Sequence, residues 1–142
     1  MAIWFSEVDL ATVRKMEHGN ILEALGIEIL EIGDDFVKGK MPVDHRTHQP
    51  HGILHGGASV VLAESLGSIA SNLVVDTSVQ YAVGLDVNAN HIRPVSSGYV
   101  YGIARPIHVG RKSHVWSIEI TNDQDKMVCI SRLTMAVIMR DE

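Results

Sequence analysis

An acidic side chain inside an apolar stretch is the first position at which this sequence could do chemistry. Glu64 lies in a run of apolar and small residues that begins at Gly56, and a helix over this run would be apolar on nearly every face. Such a helix is normally buried. Ser68 and Ser71 follow at helical spacing, so the three polar side chains would share one stripe. Because a buried, unpaired carboxylate costs several kcal/mol, Glu64 is either solvated at the helix rim or kept for a reaction.

Two glycines open this predicted helix. At Gly56 and Gly57 the backbone N–H groups would have no intrahelical partner, and the absence of side chains would let a ligand oxygen approach closely. The carbonyl oxygen of an ester or thioester needs such donors when it becomes an oxyanion, and a carboxylate two turns further on could activate water. The spacing therefore indicates hydrolysis of an ester-like bond, with Glu64, Ser68 and Gly56 as candidates.

Other chemistries fit the sequence less well. Four histidines precede the helix at intervals of three or four residues: His45, His48, His51 and His55. Pro50 and Gly52 predict a loop there, and no acidic or cysteine partner completes a ligand set, so we expect no metal. A serine hydrolase is disfavoured because the chain has no G-x-S-x-G motif. The single Cys129 lies in a strand-like run and is predicted to be a core residue.

The remaining periodicity predicts the elements that position this helix. Short helices are expected over 9–17 and 21–25, a β-hairpin over 27–32 and 36–43, and further strands over 83–93, 99–107, 114–121 and 128–139. One long helix and about six antiparallel strands predict an α+β domain in which the sheet wraps the helix. The length of 142 residues suits a single domain over 1–142.

Composition limits the class of protein. With 46% hydrophobic residues and a net charge of −5, the chain reads as a globular protein with no nucleic-acid partner. The N-terminus has no signal-peptide pattern, and we expect no window apolar enough to span a membrane. These features predict a cytoplasmic location.

The stretch from Gln49 to Ser65, QPHGILHGGASVVLAES, resembles the helix-start signature of the hotdog-fold acyl-CoA thioesterases. Within that superfamily it is most similar to the branch acting on aromatic acyl-CoA, the 1,4-dihydroxy-2-naphthoyl-CoA hydrolases of menaquinone synthesis and the relatives that proofread enterobactin assembly. The segments 41–44, 88–91, 115–120 and 131–134 also carry the resemblance. It covers nearly the whole chain after about residue 20.

The resemblance implies a hotdog fold, an acyl-CoA substrate, no cofactor, and dimers that pair edge to edge and again into a tetramer. It implies Glu64 as general base or nucleophile, Gly56 N–H and the Gln49 amide as donors to the thioester carbonyl, Ser68 as the group positioning water or the carboxylate, and His55 as organiser of the loop. Gln49 and His55 are expected to face Glu64 of the neighbouring subunit.

Two later segments are candidates for binding coenzyme A. They are His91, Ile92, Arg93 and Pro94, and His108, Val109, Gly110, Arg111, Lys112 and Ser113. Arginine and lysine at exposed turns suit phosphates, although turn cations are often merely solvated. The resemblance implies that both segments and Gly84 contact the CoA moiety.

Three functions stay open at this point. A CoA-thioester hydrolase leads, with an aromatic acyl group such as 1,4-dihydroxy-2-naphthoyl or a benzoyl type. A hotdog dehydratase or hydratase would usually separate its histidine and acid further than His55 and Glu64 are separated. A non-catalytic acyl-CoA-binding protein would keep the basic turns without needing Glu64.

Overall fold

The computed structural model describes residues 1–141 and contains one long helix and six strands. The helical segments are α1 (Leu10–Arg14), a 3-10 helix (Lys15–Glu17), α2 (Ile21–Leu25) and α3 (Gly56–Val74). The strands are β1 (Glu28–Ile32), β2 (Val37–Pro42), β3 (Gln80–His91), β4 (Tyr99–Val109), β5 (Ser113–Thr121) and β6 (Met127–Met139). They form one antiparallel sheet in the order β1-β2-β4-β5-β6-β3, which confirms the predicted α+β architecture.

The first predicted helix is divided into two parts. It changes from α to 3-10 geometry at Lys15, and the next residues turn the Glu17 carboxylate inwards to accept the Ile29 N–H at 2.6 Å. Asp9 is the N-cap residue, but its carboxylate makes no capping bond to the backbone, because it accepts the Thr12 hydroxyl instead. The N-terminal helices are thus tied to β1 through a buried side chain.

Helix α3 lies against the concave face of the sheet. Leu66 is fully buried between two strand glycines, and a Cβ at either Gly39 or Gly102 would come within 2.8 Å of its methyl groups. Such close packing makes Leu66 expensive to truncate, since buried leucines replaced by alanine lose about 2–5 kcal/mol.

The opposite side of α3 is not covered by the sheet. Val61, Glu64, Ser65 and Ser68 are only half-buried, so the expectation of a helix buried on every side is wrong for a single chain. The expectation that no window could span a membrane is also wrong, because α3 is long and apolar enough by composition. Its contacts with β2 to β6 identify it instead as the core helix of the domain.

Strand β3 forms one edge of the sheet. It pairs with β6 from Gln80 opposite Met139 to His91 opposite Cys129, and its other side has no partner strand within the described chain. Leu85 is 69% exposed on this edge. Long, exposed edge strands are sites for pairing with another chain.

Candidate active site

The loop before α3, residues 44–55, is held rigidly; we call it the pre-helix loop. Buried Thr47 donates its hydroxyl to Pro42 O at 2.7 Å, and its own carbonyl accepts from His55 N–H at 2.8 Å. The adjacent Leu54 N–H donates at 2.7 Å to a carbonyl in the segment that follows β3. The loop therefore presents its polar side chains from a fixed backbone.

His55 caps the start of α3 with its side chain. Its Nδ1 accepts the Gly57 N–H at 2.8 Å, so it is the Nε2 atom that is left for a ligand. His55 thus joins the pre-helix loop to the first turn of α3. Its role in organising the loop for catalysis stays a prediction.

Two free donors lie at and before the start of α3. Gly56 N–H has no hydrogen-bond partner within the described chain. Gln49 Oε1 accepts the backbone N–H of His51, which leaves the Gln49 amide NH₂ available. Gly56 N–H therefore lies free at the positive end of α3, where an oxyanion is stabilised, and the Gln49 amide is a second free donor in the loop that leads to it.

Ser59 is a polar residue of this region that the sequence analysis missed. It is buried, its hydroxyl has no partner within the described chain, and it lines a cavity of about 270 Å³ with Gly56, His91 and Arg93. A hydroxyl in a helical apolar run gives no sequence signal that it will remain unpaired. It adds a potential donor below the helix start.

Glu64 lies two turns further along α3, and its carboxylate is directed at strand β3. A Cβ at Gly84 would collide with Glu64 Oε2. The β3–β6 register shifts between Gly84 and Asp86, so the strand is locally irregular at this point. Glycine at position 84 gives the carboxylate its room. Contact of Gly84 with CoA stays a prediction, since the structure places this residue beside Glu64.

Glu64 and Ser68 line one cavity of about 360 Å³, which we call the carboxylate cavity. Its other lining residues are Ser65 and the apolar Met16, Ile21, Leu22, Val61 and Ile69. An apolar pocket with a few convergent polar groups is the usual form of a small-molecule site. Sequence periodicity did not identify this wall, because half of it comes from the N-terminal helices.

Ser71 does not belong to the stripe with Glu64 and Ser68, contrary to the sequence analysis. It is fully buried, its Oγ accepts Trp116 Nε1–H at 2.6 Å, and it lies 2.8 Å from His114 Nδ1. Burial lowers the pKa of His114, opposed by its bond to the Gly110 backbone and assisted by the charge of His108. This Ser–His pair has no access to a substrate and is part of the core.

The segment His91–Pro94 lies beside the helix start. A Cβ at Gly56 would come within 2.7 Å of His91 Nε2, so the histidine ring covers that glycine. Ile92 N–H donates to Val128 O at 2.8 Å, and Ile92, Arg93 and Pro94 are all exposed. Arg93 donates to Met127 O at 2.9 Å and forms no ion pair within the described chain.

The segment His108–Ser113 forms the turn between β4 and β5. Gly110 N–H donates to Ser113 O at 2.9 Å, and the His108 ring covers Gly110. Arg111 and Lys112 are exposed, and neither is paired with a carboxylate of the described residues. Their charges are thus available to an anionic ligand.

The two basic segments are far apart in one chain. His91 lies opposite Cys129 and Ser113 opposite Ala136 on β6, which at about 3.3 Å per residue places them about 23 Å apart along the sheet. The sequence suggested that the cations of these segments lie on two adjoining turns, and this expectation is wrong for a single subunit.

Glu64 is also distant from the donors of its own chain. Eight residues of helix place it about 12 Å along the axis from Gly56, too far for one carbonyl carbon to meet both. The structure brings His55, Gly56 and His91 together, with Gln49 earlier in the pre-helix loop, and separately joins Glu64, Ser68 and Gly84.

Three of the four histidines near the helix start contact different partners. His48 Nε2 contacts Ser96 O at 3.0 Å, His45 lies 3.9 Å from the Asp44 carboxylate, and His55 caps α3. Within residues 1–141 no group of three or more histidine, cysteine or acidic residues could hold a metal.

A carboxylate beside an apolar cavity and a separate set of N–H donors are the parts that acyl transfer to water requires. The comparisons with known proteins agree with this chemistry. A family model described as the thioesterase superfamily matches residues 51–129. The chain belongs to this superfamily, shares its hotdog fold and is a hydrolase of the thioesterase class.

Individual relatives cover almost the whole chain. The 1,4-dihydroxy-2-naphthoyl-CoA hydrolase of Escherichia coli (strain K12) is 46% identical over 96% of this chain and 99% of its own. The proofreading thioesterase EntH of Cronobacter turicensis is 46% identical over 96% of this chain and 98% of its own. The crystal structure of a glutamine-to-alanine variant of a Pseudomonas aeruginosa thioesterase has a TM-score of 0.96 and 52% identity, covering 98% of this chain and all of that one.

Proposed function

We propose that this chain hydrolyses aromatic acyl-CoA thioesters, such as 1,4-dihydroxy-2-naphthoyl-CoA or a benzoyl-type CoA. The observation that carries the proposal is the carboxylate cavity, in which Glu64 and Ser68 face an apolar wall large enough for an aromatic acyl group. The wall includes Met16, whose polarizable sulfur suits contact with an aromatic ring. The similarity to the E. coli hydrolase supports the same substrate class and a role in menaquinone synthesis.

In the proposed reaction, Glu64 removes a proton from water as the oxygen of that water adds to the thioester carbonyl carbon. The resulting oxyanion accepts hydrogen bonds from Gly56 N–H and the Gln49 amide. Its collapse breaks the carbon–sulfur bond and releases the carboxylic acid and CoA thiolate, which takes up the proton. Ser68, one turn from Glu64, orients the water or the carboxylate.

Glu64 could instead attack the carbonyl carbon directly, expelling CoA thiolate and leaving a mixed anhydride that water then cleaves. A single turnover in ¹⁸O-labelled water together with hydroxylamine trapping separates the two routes. Label that enters the protein at Glu64 indicates an anhydride cleaved at the Glu64 carbonyl carbon. Label found only in the acid product fits both the general base and an anhydride cleaved at its acyl carbon, and only the anhydride would give a hydroxamate at Glu64 when hydroxylamine is present.

The proposed site is shared between two subunits, because neither chain alone can bring Glu64 to the donors. The free edge of β3 offers the means of pairing. If two β3 strands pair antiparallel with His91 opposite Gly84 of the second copy, each Gly56 comes next to the other chain's Glu64. The same pairing brings each His91–Pro94 segment to within about three strand spacings, or 15 Å, of the other chain's His108–Ser113 turn.

Exposed isoleucines on the outer face of the sheet, including Ile107, Ile130 and Ile138, support further pairing of dimers into a tetramer. Light scattering on the purified protein measures the assembly. A monomer at catalytic concentration would contradict the shared site.

Steady-state kinetics with benzoyl-CoA, 1,4-dihydroxy-2-naphthoyl-CoA and acetyl-CoA test the substrate class. We expect kcat/KM to be on the order of a hundredfold higher for the aryl thioesters than for acetyl-CoA, since each buried apolar carbon contributes to transition-state binding. Equal values for all three thioesters would contradict the aromatic assignment.

A mixing experiment tests the shared site. Glu64→Ala chains and Gln49→Ala/His55→Ala chains should each be inactive, and refolding them together should restore part of the activity through hybrid dimers that hold one intact site. Hybrids confirmed by native mass spectrometry but as inactive as their parents would show that each site lies within one chain.

A further inference from the structure

A second cavity lies next to the carboxylate cavity and shares a wall with it. This terminal cavity has a volume of about 450 Å³ and follows α3 towards its C-terminal end, past Asn72, Leu73 and Thr77. Met16 and Ile69 line both cavities. These two side chains therefore separate the space beside Glu64 from the space beyond it.

The backbone that carries Met16 is anchored, but its side chain is not. The neighbouring Glu17 is 7% exposed, and its carboxylate accepts Ile29 N–H and lies 3.4 Å from Arg14 Nε. Met16 itself is 49% exposed and sits in the 3-10 helix. An unbranched methionine on a fixed backbone can change rotamer at little cost.

The terminal cavity has apolar and polar lining residues. Val8, Val13 and Leu73 are among the apolar ones, and Thr12 and Asn72 are among the polar ones. An alkyl chain that passes Met16 would therefore find apolar contacts in a groove that is partly polar.

We propose that Met16 is a gate that sets the length of acyl group this enzyme accepts. The proposal rests on the proposed thioesterase function. With Met16 in place, the acyl group ends in the carboxylate cavity, which favours compact aromatic groups. Longer straight-chain acyl groups need the terminal cavity and are disfavoured because they must displace the methionine.

The test compares benzoyl-CoA, hexanoyl-CoA, decanoyl-CoA and tetradecanoyl-CoA as substrates of the wild type and two variants. Met16→Ala opens the passage and should raise the decanoyl-to-benzoyl ratio of kcat/KM by about tenfold or more. Met16→Phe closes it and should lower the same ratio several-fold. Met139→Ala, at an exposed methionine that ends β6 and lines neither cavity, is the matched control and should leave the ratio unchanged.

Ile69→Ala widens the passage from the α3 side and should shift the profile in the same direction as Met16→Ala. Thermal melts of each variant show whether it is folded. If benzoyl-CoA is hydrolysed normally and the chain-length profile does not change in any of these variants, the proposal that Met16 is a gate is wrong. The proposed thioesterase function is not contradicted by that result. If the wild type hydrolyses none of the four thioesters, the proposed function fails and the gate with it.

Discussion

Helix α3 carries two groups of polar side chains that lie in different environments. Glu64 and Ser68 face an open cavity. Strand β3 has a glycine, Gly84, next to the Glu64 carboxylate, and the absence of a side chain there leaves space for it. Ser71, less than two turns from Glu64, is fully buried between Trp116 and His114 and bonded to both. One site leaves its polar atoms for a ligand, and the other satisfies them within the protein.

The comparison shows that polarity in an apolar helix does not by itself indicate function. A buried hydroxyl with two protein partners contributes to stability, since losing it would strand both partners. A carboxylate with space around it contributes nothing obvious to folding, and that makes it a candidate for catalysis. Substitutions at the two sites should therefore separate activity from stability.

The largest expected effect is on catalysis at Glu64. Glu64→Gln keeps the shape of the side chain but removes the base, so kcat should fall by roughly 10²-fold or more. The unfolding free energy should be unchanged or higher, because a charge held for function is removed. Turnover assays and urea unfolding measure both. A variant with near-normal turnover would contradict the catalytic role of Glu64.

At Ser71 we expect a loss of stability with little change in kcat, the opposite of the result expected at Glu64. Ser71→Ala leaves the buried Trp116 N–H without an acceptor and should lower the free energy of unfolding by about 1–3 kcal/mol. The kcat of the folded variant should stay within about twofold of wild type, because the network does not reach the cavity. Urea unfolding followed by tryptophan fluorescence checks this. A loss of kcat as large as that of Glu64→Gln would remove the distinction between the sites.

The fold was predictable because every element depends on a local pattern. Alternation of apolar and polar residues predicted the strands. Gly26, with a φ of +74°, ends α2 in the left-handed conformation that glycine adopts most easily. The division of the polar stripe was not predictable. Ser68 and Ser71 both lie on the same side of the helical wheel as Glu64. Which of them faces the core depends on Trp116 and His114, which are more than forty residues from Ser71 in the sequence.

The sequence motif singled out the polar residues of the candidate site, but it indicated neither their layout nor the apolar wall beside them. Motif residues located the pre-helix loop and Glu64, whereas their separation and the distance between the basic segments follow from helix rise and strand register. The cavity wall from Met16 to Leu22 had no signal at all, because half-exposed apolar residues on short helices are common.

An intermediate effect, on KM, is expected at the exposed arginines of the two basic segments. Arg93→Gln/Arg111→Gln should raise KM for an acyl-CoA by several-fold to tens-fold and weaken its salt dependence, since exposed charge contacts contribute up to about 1 kcal/mol each. The kcat should change little, and the corresponding pantetheine thioester, which lacks the nucleotide, should be unaffected. Equal losses with both thioesters would assign these arginines a structural role.

The smallest effect is a pH dependence of stability at His114. Burial lowers the pKa of this histidine in the folded protein below its ordinary value of 6.5. Between the two pKa values the unfolded chain binds more protons, so stability is complete above about pH 6.5 and is lost as the pH falls towards the folded pKa. His114→Gln cannot titrate, and although it is less stable at neutral pH, its stability should change less between about pH 7.5 and pH 5.5. Urea unfolding at both pH values measures the difference, with His108→Gln as the control for the neighbouring charge. If wild type and His114→Gln lose the same stability over this range, protonation of His114 does not contribute to the pH dependence of stability.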